Sequence, residues 1–132
     1  EDGREERPEG SPEVRQDDRR EDHHMTVRAY VPATFDLLAR FHAEGEVPTA
    51  GAVVAVDESE DAEYAALVEA AEVSAEMSGG GRRVVVVAEV PHEGAVAPMR
   101  DVASVHVDTE DGADPDDELA WFATQEIPHL LE

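Results

Sequence analysis

The segment whose residue types come closest to a metal site is an acidic stretch near the C-terminus. The sequence DTEDGADPDDE occupies residues 108–118. The calcium loop of an EF-hand needs oxygen ligands at fixed positions around a central Gly. Counted back from Gly112, the first ligand position falls on Val107, which has no side-chain oxygen. The spacing therefore fails for an EF-hand and predicts a solvated turn between two strands.

The glycines and histidines show no catalytic spacing either. The three glycines at 79–81 follow a predicted helix, whereas a phosphate-binding loop leads from a strand into a helix N-terminus. There is no Cys, no G-x-S-x-G motif, and no HxH or HExxH pair. We therefore predict no catalytic, cofactor-binding or metal-binding residue. The histidines that lie too far apart in sequence to suggest a site are His42, His92, His106 and His129.

A few arginines stand out in a very acidic chain. All ten basic residues are Arg, against 33 Asp and Glu. Arg28 and Tyr30 share one face of a predicted strand, and Arg82 and Arg83 begin another. We expect these arginines to pair with carboxylates. The alternative is an anion-binding spot at the edge of the sheet, so Arg28 and Tyr30 are candidate interaction residues.

The C-terminal stretch ELAWFATQEIPHLLE (118–132) contains the only Trp of the chain. Trp121 and Phe122 are adjacent, and both are large apolar side chains in a domain that has few of them. We predict that Trp121 packs on the sheet or on a helix and closes the core. The alternative is an aromatic surface that binds a partner, so Trp121 and Phe122 are also candidate interaction residues.

Periodicity predicts the elements that must position these residues. Residues 27–31 alternate as a strand, and a helix follows, with Thr34 as N-cap and Gly45 as its stop. Residues 51–57 predict a second strand. A long amphipathic helix then begins at Asp57 or Ser59 and ends at the glycines. Its predicted apolar stripe consists of Tyr64, Leu67, Val68, Ala71 and Ala75.

The remaining elements follow from the Val-rich half of the chain. RRVVVVAEV (82–90) lacks alternation, which predicts a central strand covered on both faces. Residues 91–101 predict a loop. VASVHVD (102–108) predicts a strand with Ala103, Val105 and Val107 on one side and Ser104 and His106 on the other. For 118–124 we favour a strand over a helix that would begin at Asp114-Pro115, followed by a short helical turn.

These elements predict one small α/β or α+β domain. It has a mixed sheet of about five strands, two main helices, the order β-α-β-α-β-β-β and a C-terminal turn. We assign it to residues 25–132. Residues 1–24 contain one large aliphatic residue, Val14, so we expect them to be disordered. Glu21-Asp22 can be encoded by a ribosome-binding sequence just before Met25. That favours a translated leader with a native start at Met25.

Composition restricts the partners and the compartment. The formal net charge is −23, which argues against nucleic acid and against an anionic membrane surface, because both attract Lys and Arg. No apolar run approaches a transmembrane helix. We expect a cytoplasmic protein that binds a protein partner or forms a homodimer. The Lys-free composition suits a high-GC genome or a salt-adapted proteome, and the sequence does not separate the two causes.

Seven segments together resemble a family of small acidic proteins from high-GC Gram-positive bacteria, which is known only as a domain of unknown function. The resemblance covers nearly everything from Met25 onward, and its most specific part is WFATQEIPHLL. It implies no activity, cofactor or catalytic residue. The segments are YVPAT (30–34), LLARF (37–41), GEVP (45–48), EYAALVEAA (63–71), RRVVVVAEVP (82–91), VASVHVD (102–108) and ELAWFATQEIPHLL (118–131).

Three hypotheses about function remain open from the sequence. The first is a non-catalytic domain that acts through protein–protein contacts. The second is a small enzyme or metal-dependent domain that uses clustered carboxylates, which a pocket joining Asp101, His106 and Arg28 would favour. The third is an acidic mimic of nucleic acid, which requires carboxylates aligned along one face.

The charge generates a first prediction. Residues 25–132 hold 23 acidic and 5 basic residues, a net −18, so self-repulsion opposes the folded state and added salt should screen it over about 10 Å at 0.1 M. We expect the melting temperature to rise between low and moderate NaCl. An unchanged or lower melting temperature in circular dichroism melts would contradict this.

Overall fold

The computed structural model describes residues 26–111, 114 and 116–132. The predictions for residues 1–24, of a disordered segment or a translated leader ahead of Met25, lie outside these residues. Within the described ranges no helix is long and apolar enough to cross a membrane.

Local hydrogen bonds set the ends of the main helices. Before the first helix, the Thr34 hydroxyl accepts the N–H of Leu37 at 3.1 Å, and Gly45 ends that helix at φ 76°, both as predicted. Ser59, rather than Asp57, caps the second helix, because its hydroxyl accepts the N–H of Ala62 at 3.1 Å. The helices are α1 (Phe35–Glu44), α2 (Glu60–Met77) and α3 (Ile127–Leu130), with 3₁₀ turns at Met99–Asp101 and Thr124–Glu126.

The strands are β1 (Val27–Ala33), β2 (Glu46–Pro48), β3 (Val53–Val54), β4 (Val84–Val90), β5 (Val96–Pro98), β6 (Val102–Val107) and β7 (Ala120–Phe122). Five of them form one sheet, in the order β3–β1–β4–β6–β7, and β2 pairs with β5 in a separate two-stranded sheet. The prediction of a single α+β domain is confirmed. Every described pairing is antiparallel, whereas a mixed sheet was predicted.

The five-stranded sheet is buried on both faces at its centre. Strand β4 lies between β1 and β6, and its four consecutive valines at 84–87 are all buried, so the prediction of a central strand is confirmed. On one face the sheet packs against α2. The other face packs against side chains from α1, from the two-stranded sheet and from α3, namely Leu38, Phe41, Val47, Ala97 and Ile127. Strand β5 lies within residues 91–101, where a loop was predicted.

A β-bulge changes the faces of β6. Val87 pairs with Ser104 but the next residue, Ala88, pairs with Val102, so Ala103 is an extra residue in β6. Val102 therefore joins Val105 in the core, and Ala103 is exposed. The prediction that Ala103 shares a face with Val105 is wrong, because strict alternation does not survive an inserted residue.

One buried hydroxyl joins α2 to the sheet. Ser74 Oγ donates to the carbonyl oxygen of Ala33 and accepts the N–H of Val84, both at 2.7 Å. Ser74 is fully buried, so it satisfies two backbone groups at the ends of neighbouring strands that water does not reach. The contact fixes the position of the second half of α2 along the sheet.

A buried ion pair ties the start of β4 to the end of β6. Arg83 donates to both carboxylate oxygens of Asp108, from Nε at 2.7 Å and from Nη2 at 2.8 Å. The backbone N–H of Arg83 donates to the same carboxylate at 2.9 Å. Burial of Asp108 opposes its ionised form, but these hydrogen bonds outweigh burial, so the pKa of Asp108 lies below its usual value. Arg83 Nη2 also donates to the carbonyl oxygen of Asp117 at 2.9 Å, which anchors the acidic loop.

Removing one partner of this pair should destabilise the fold strongly. We expect Arg83→Met to lower the free energy of unfolding by about 3–5 kcal/mol, because it leaves the Asp108 carboxylate buried and unpaired. Arg28 provides a matched control, since its pair with Glu89 is solvent-exposed. Arg28→Met should cost at most about 1 kcal/mol. Equal losses for the two variants in urea melts would show that burial does not set the strength of the Arg83 pair.

The lowered pKa of Asp108 generates a pH prediction. A carboxylate whose pKa is lower in the folded state stabilises the protein above its unfolded pKa of about 3.9, and this stabilisation is lost as the pH falls through the folded pKa. We expect wild type to be more stable than Asp108→Asn at neutral pH. The difference should shrink as the pH falls below about 4, where Asp108 is protonated in the unfolded chain, and should be smallest below the lowered pKa of the folded protein. A difference that urea melts find constant down to the lowest pH would contradict the assignment.

Candidate functional site

The face of the sheet that packs against α2 is only partly covered. Helix α2 lies over β3, β1 and β4, and a groove remains between α2 and the two following strands, β6 and β7. We call it the α2–β7 groove. Its volume is about 610 Å³, which is in the range of sites that hold a small ligand or a few side chains. Its apolar and aromatic lining consists of Tyr64, Leu67, Val68, Ala71, Ala75, His106, Leu119 and Trp121.

A second cavity of about 530 Å³ adjoins the groove. Tyr64 and Trp121 line both cavities, together with Leu67 and His106. The second cavity is also lined by Arg28 and Tyr30, two of the four predicted interaction residues. The structure therefore brings Arg28, Tyr30 and Trp121 to one side of the sheet. Their role in an interaction stays a prediction.

Trp121 lies on the surface of this groove and does not close the core. It is 60% exposed, so the prediction that it packs as a lid is wrong. The cause is its position on β7: Trp121 pairs with His106 on the side of α2, where the helix does not reach. Phe122 pairs with Val105, points to the opposite face and packs against the main core. Strand alternation thus separates the two aromatics.

The buried face of α2 is also rotated from the predicted stripe. Ala66, Ala70 and Ser74 face the sheet. Ala71 of the predicted stripe is buried with them, but Tyr64 is 56% exposed and Val68 is 38% exposed. Small side chains allow the helix to lie close to the strands, and Ser74 makes its two hydrogen bonds only in this orientation. The larger side chains of the predicted stripe therefore line the groove at the flank of α2.

The rim of the groove is acidic. Of the residues that the structure describes, the only cation in its lining is Arg83, whose guanidinium is bonded to Asp108. In the second cavity the cation is Arg28, which pairs with Glu89 at 2.6 Å and lies 3.9 Å from Glu63. Both arginines pair with carboxylates, as predicted. The exposed acids of the rim are Glu72, Asp116, Asp117 and Glu118 beside the groove, and Glu60 and Asp61 beside the second cavity.

His106 lines both cavities and Ser104 lines the second one, and together they are the polar pair whose spacing comes closest to catalytic geometry. Ser104 Oγ lies 3.0 Å from His106 Nε2, a distance typical of an activated nucleophile and its base. Burial lowers the pKa of His106, so the imidazole is neutral at pH 7. Within the described part of the chain no carboxylate bonds to His106, and Ser104 is only 7% exposed. The pair therefore lacks both the orienting acid and the access of a catalytic triad.

The structure does not join Asp101, His106 and Arg28 in one pocket, the arrangement that would favour an enzyme. Arg28 and His106 line the second cavity, but Asp101, in the 3₁₀ turn before β6, does not. Among the residues that the structure describes, no group of three or more His, Asp or Glu side chains is placed to hold a metal ion. The available chemistry of the groove is therefore apolar contact, aromatic stacking and attraction of positive charge.

Comparison with known proteins gives a family and no activity. No curated protein and no solved structure matches the chain. One family does match, over residues 27–131, and it is described as a family of unknown function, DUF6912. The expected resemblance to a domain of unknown function is thereby confirmed, and the chain belongs to the DUF6912 family.

Proposed function

We propose that the chain is a non-catalytic domain that acts through protein–protein contacts, and that the α2–β7 groove is its contact surface. The observation that carries the proposal is the pair of exposed aromatics, Trp121 and Tyr64, on opposite sides of an apolar groove. Trp and Tyr are enriched among the residues that dominate binding energy at interfaces, and they cluster around well-defined pockets. The exposed parts of these two side chains gain no burial energy in the isolated chain.

The occupant that we propose is a different protein rather than a second copy of this chain. Two copies joined at the groove would bring their acidic rims together. Like charges facing each other across an interface cost several kcal/mol and suppress that pairing. We further propose the cytoplasm as the compartment, since a Cys-free chain uses none of the disulfides that hold many small domains in oxidising compartments.

Two valines of α2 provide a matched test of the surface. Val68 lines the groove and Val73 does not, yet both are 38% exposed. A photo-crosslinking amino acid at position 68, in the full chain in its native cells, should capture a specific protein that the same group at position 73 does not. The captured protein should then be identified by mass spectrometry, purified and titrated against the full chain.

The affinity for the purified partner should depend directly on the exposed aromatic residues of the groove. We expect Trp121→Ala to melt close to wild type, because the side chain is largely exposed, and to weaken binding at least about 30-fold, as for an interface residue worth 2 kcal/mol or more. Met77→Ala is the control, since Met77 is an exposed apolar residue of α2 outside the groove. Affinities that Trp121→Ala leaves unchanged, or a self-adduct as the only product at position 68, would contradict the proposal.

A further inference from the structure

We infer that the segment bound in the α2–β7 groove is cationic: one or two bulky apolar side chains flanked by Lys or Arg. The inference rests on the proposed function and adds the chemical class of the partner. Its basis is charge complementarity between the acidic rim and the bound segment. An apolar groove without that rim would accept a neutral segment equally well.

The two arginines nearest the rim make their closest ion pairs with acids outside it. Among the described residues of the groove lining Arg83 is the sole cation, and Asp108 already holds its guanidinium with two hydrogen bonds. Arg28, in the adjoining cavity, is bonded to Glu89. Among the described residues, four exposed acids of the rim therefore outnumber the one cation of the groove lining. A bound segment must approach these acids at a distance where the potential is only partly screened at physiological ionic strength.

A neutral or acidic segment meets a penalty at this rim. A neutral segment would remove water from the carboxylates without replacing its hydrogen bonds, and an acidic one would add repulsion. A Lys or Arg side chain gives the carboxylates a partner, while its aliphatic stem covers apolar surface beside Trp121 or Tyr64. A guanidinium can also stack on an exposed aromatic ring.

The rim is held in place before any partner binds. Arg83 Nη2 donates to the carbonyl oxygens of Asp117, at 2.9 Å, and Asp114, at 3.4 Å. The N–H of Asp116 donates to the Asp114 carboxylate at 2.9 Å. These bonds fix the loop backbone that carries the acids, so a cationic segment meets a preorganised surface and loses less entropy on binding.

Three synthetic peptides that differ only in flanking charge test the inference. They share one Leu and Phe pattern without Trp, and the flanking positions are all Lys, all Gln or all Glu. Because Trp121 is the only Trp of the chain, its emission reports occupancy of the groove. We expect saturable binding of the Lys peptide that weakens as salt is added, weaker binding of the Gln peptide, and no binding of the Glu peptide.

Two triple variants separate the rim from the overall charge. Glu72→Gln with Asp116→Asn and Glu118→Gln removes three rim acids, and should weaken the Lys peptide about 10-fold. The control removes three exposed acids that line neither cavity, by changing Glu44, Glu76 and Glu93 to Gln. Each variant loses the same charge, and the control should weaken binding by less than about 3-fold.

If the two triple variants weakened binding equally, the net charge of the whole protein would explain the attraction, and the inference would be overturned. It would also be overturned by equal affinity for the Lys and Gln peptides, an absence of saturable binding by the Lys peptide, or a segment crosslinked at position 68 that carries no Lys or Arg. In these cases the groove is still a protein interface if Trp121→Ala weakens binding of the purified partner. If Trp121→Ala does not, the proposed function itself fails.

Discussion

The bidentate ion pair of Arg83 and Asp108 determines where the C-terminal third of the chain lies. It joins the residue directly before β4 to the residue directly after β6. The same guanidinium donates to carbonyl oxygens of the acidic loop. That loop leads directly into β7, which carries Trp121. A chain with a net charge of −23 would otherwise extend so acidic a segment into solvent. The ion pair therefore fixes both the acidic rim and the aromatic residue of the groove.

The close approach of α2 to the sheet is the second constraint. Alanines and Ser74 allow the helix to lie near the strands, and the Ser74 hydroxyl satisfies backbone groups of both β1 and β4. A helix in this orientation covers the middle of the sheet and leaves its β6–β7 side open. The groove is thus a consequence of the close packing of α2 on the sheet. The larger apolar side chains of α2 lie at the flank of the helix and line the groove.

The function that we propose depends on a surface rather than on a reactive centre. The Ser104–His106 hydrogen bond is the nearest approach to catalytic geometry, and it lacks an orienting acid within the described residues. Exposed aromatics, an apolar groove and an acidic rim are the three components of the recognition surface that we propose. In that proposal the aromatics supply contact area, the groove supplies shape, and the rim selects positive charge.

Much of the fold could be predicted from local patterns. Four consecutive valines indicated the central strand, Thr34 and Gly45 marked the ends of α1, and the scarcity of basic residues indicated that the arginines would pair with acids. These features depend on neighbours in sequence, where hydrogen-bond geometry and side-chain periodicity act directly. The candidate site could be predicted only as a choice for Trp121, between a lid and a binding surface.

Tertiary structure shows that Trp121 is not a lid on the core, and its role in binding stays a proposal. Whether Trp121 is covered depends on how far α2 extends across the sheet, and this depends on which face of α2 is buried. The buried face of α2 is rotated from the predicted stripe. The prediction followed hydrophobicity, whereas close packing on the sheet favours small side chains. In the same way, the inserted Ala103 shifted the faces of β6 through its pairing with β4. Local sequence patterns predicted the helices and the strands of the main sheet, and the composition gave the charge, but neither predicted the two-stranded sheet of β2 and β5. Which faces of the elements meet was decided only by contacts between residues far apart in the chain, because burial depends on what packs on a face as well as on its residues.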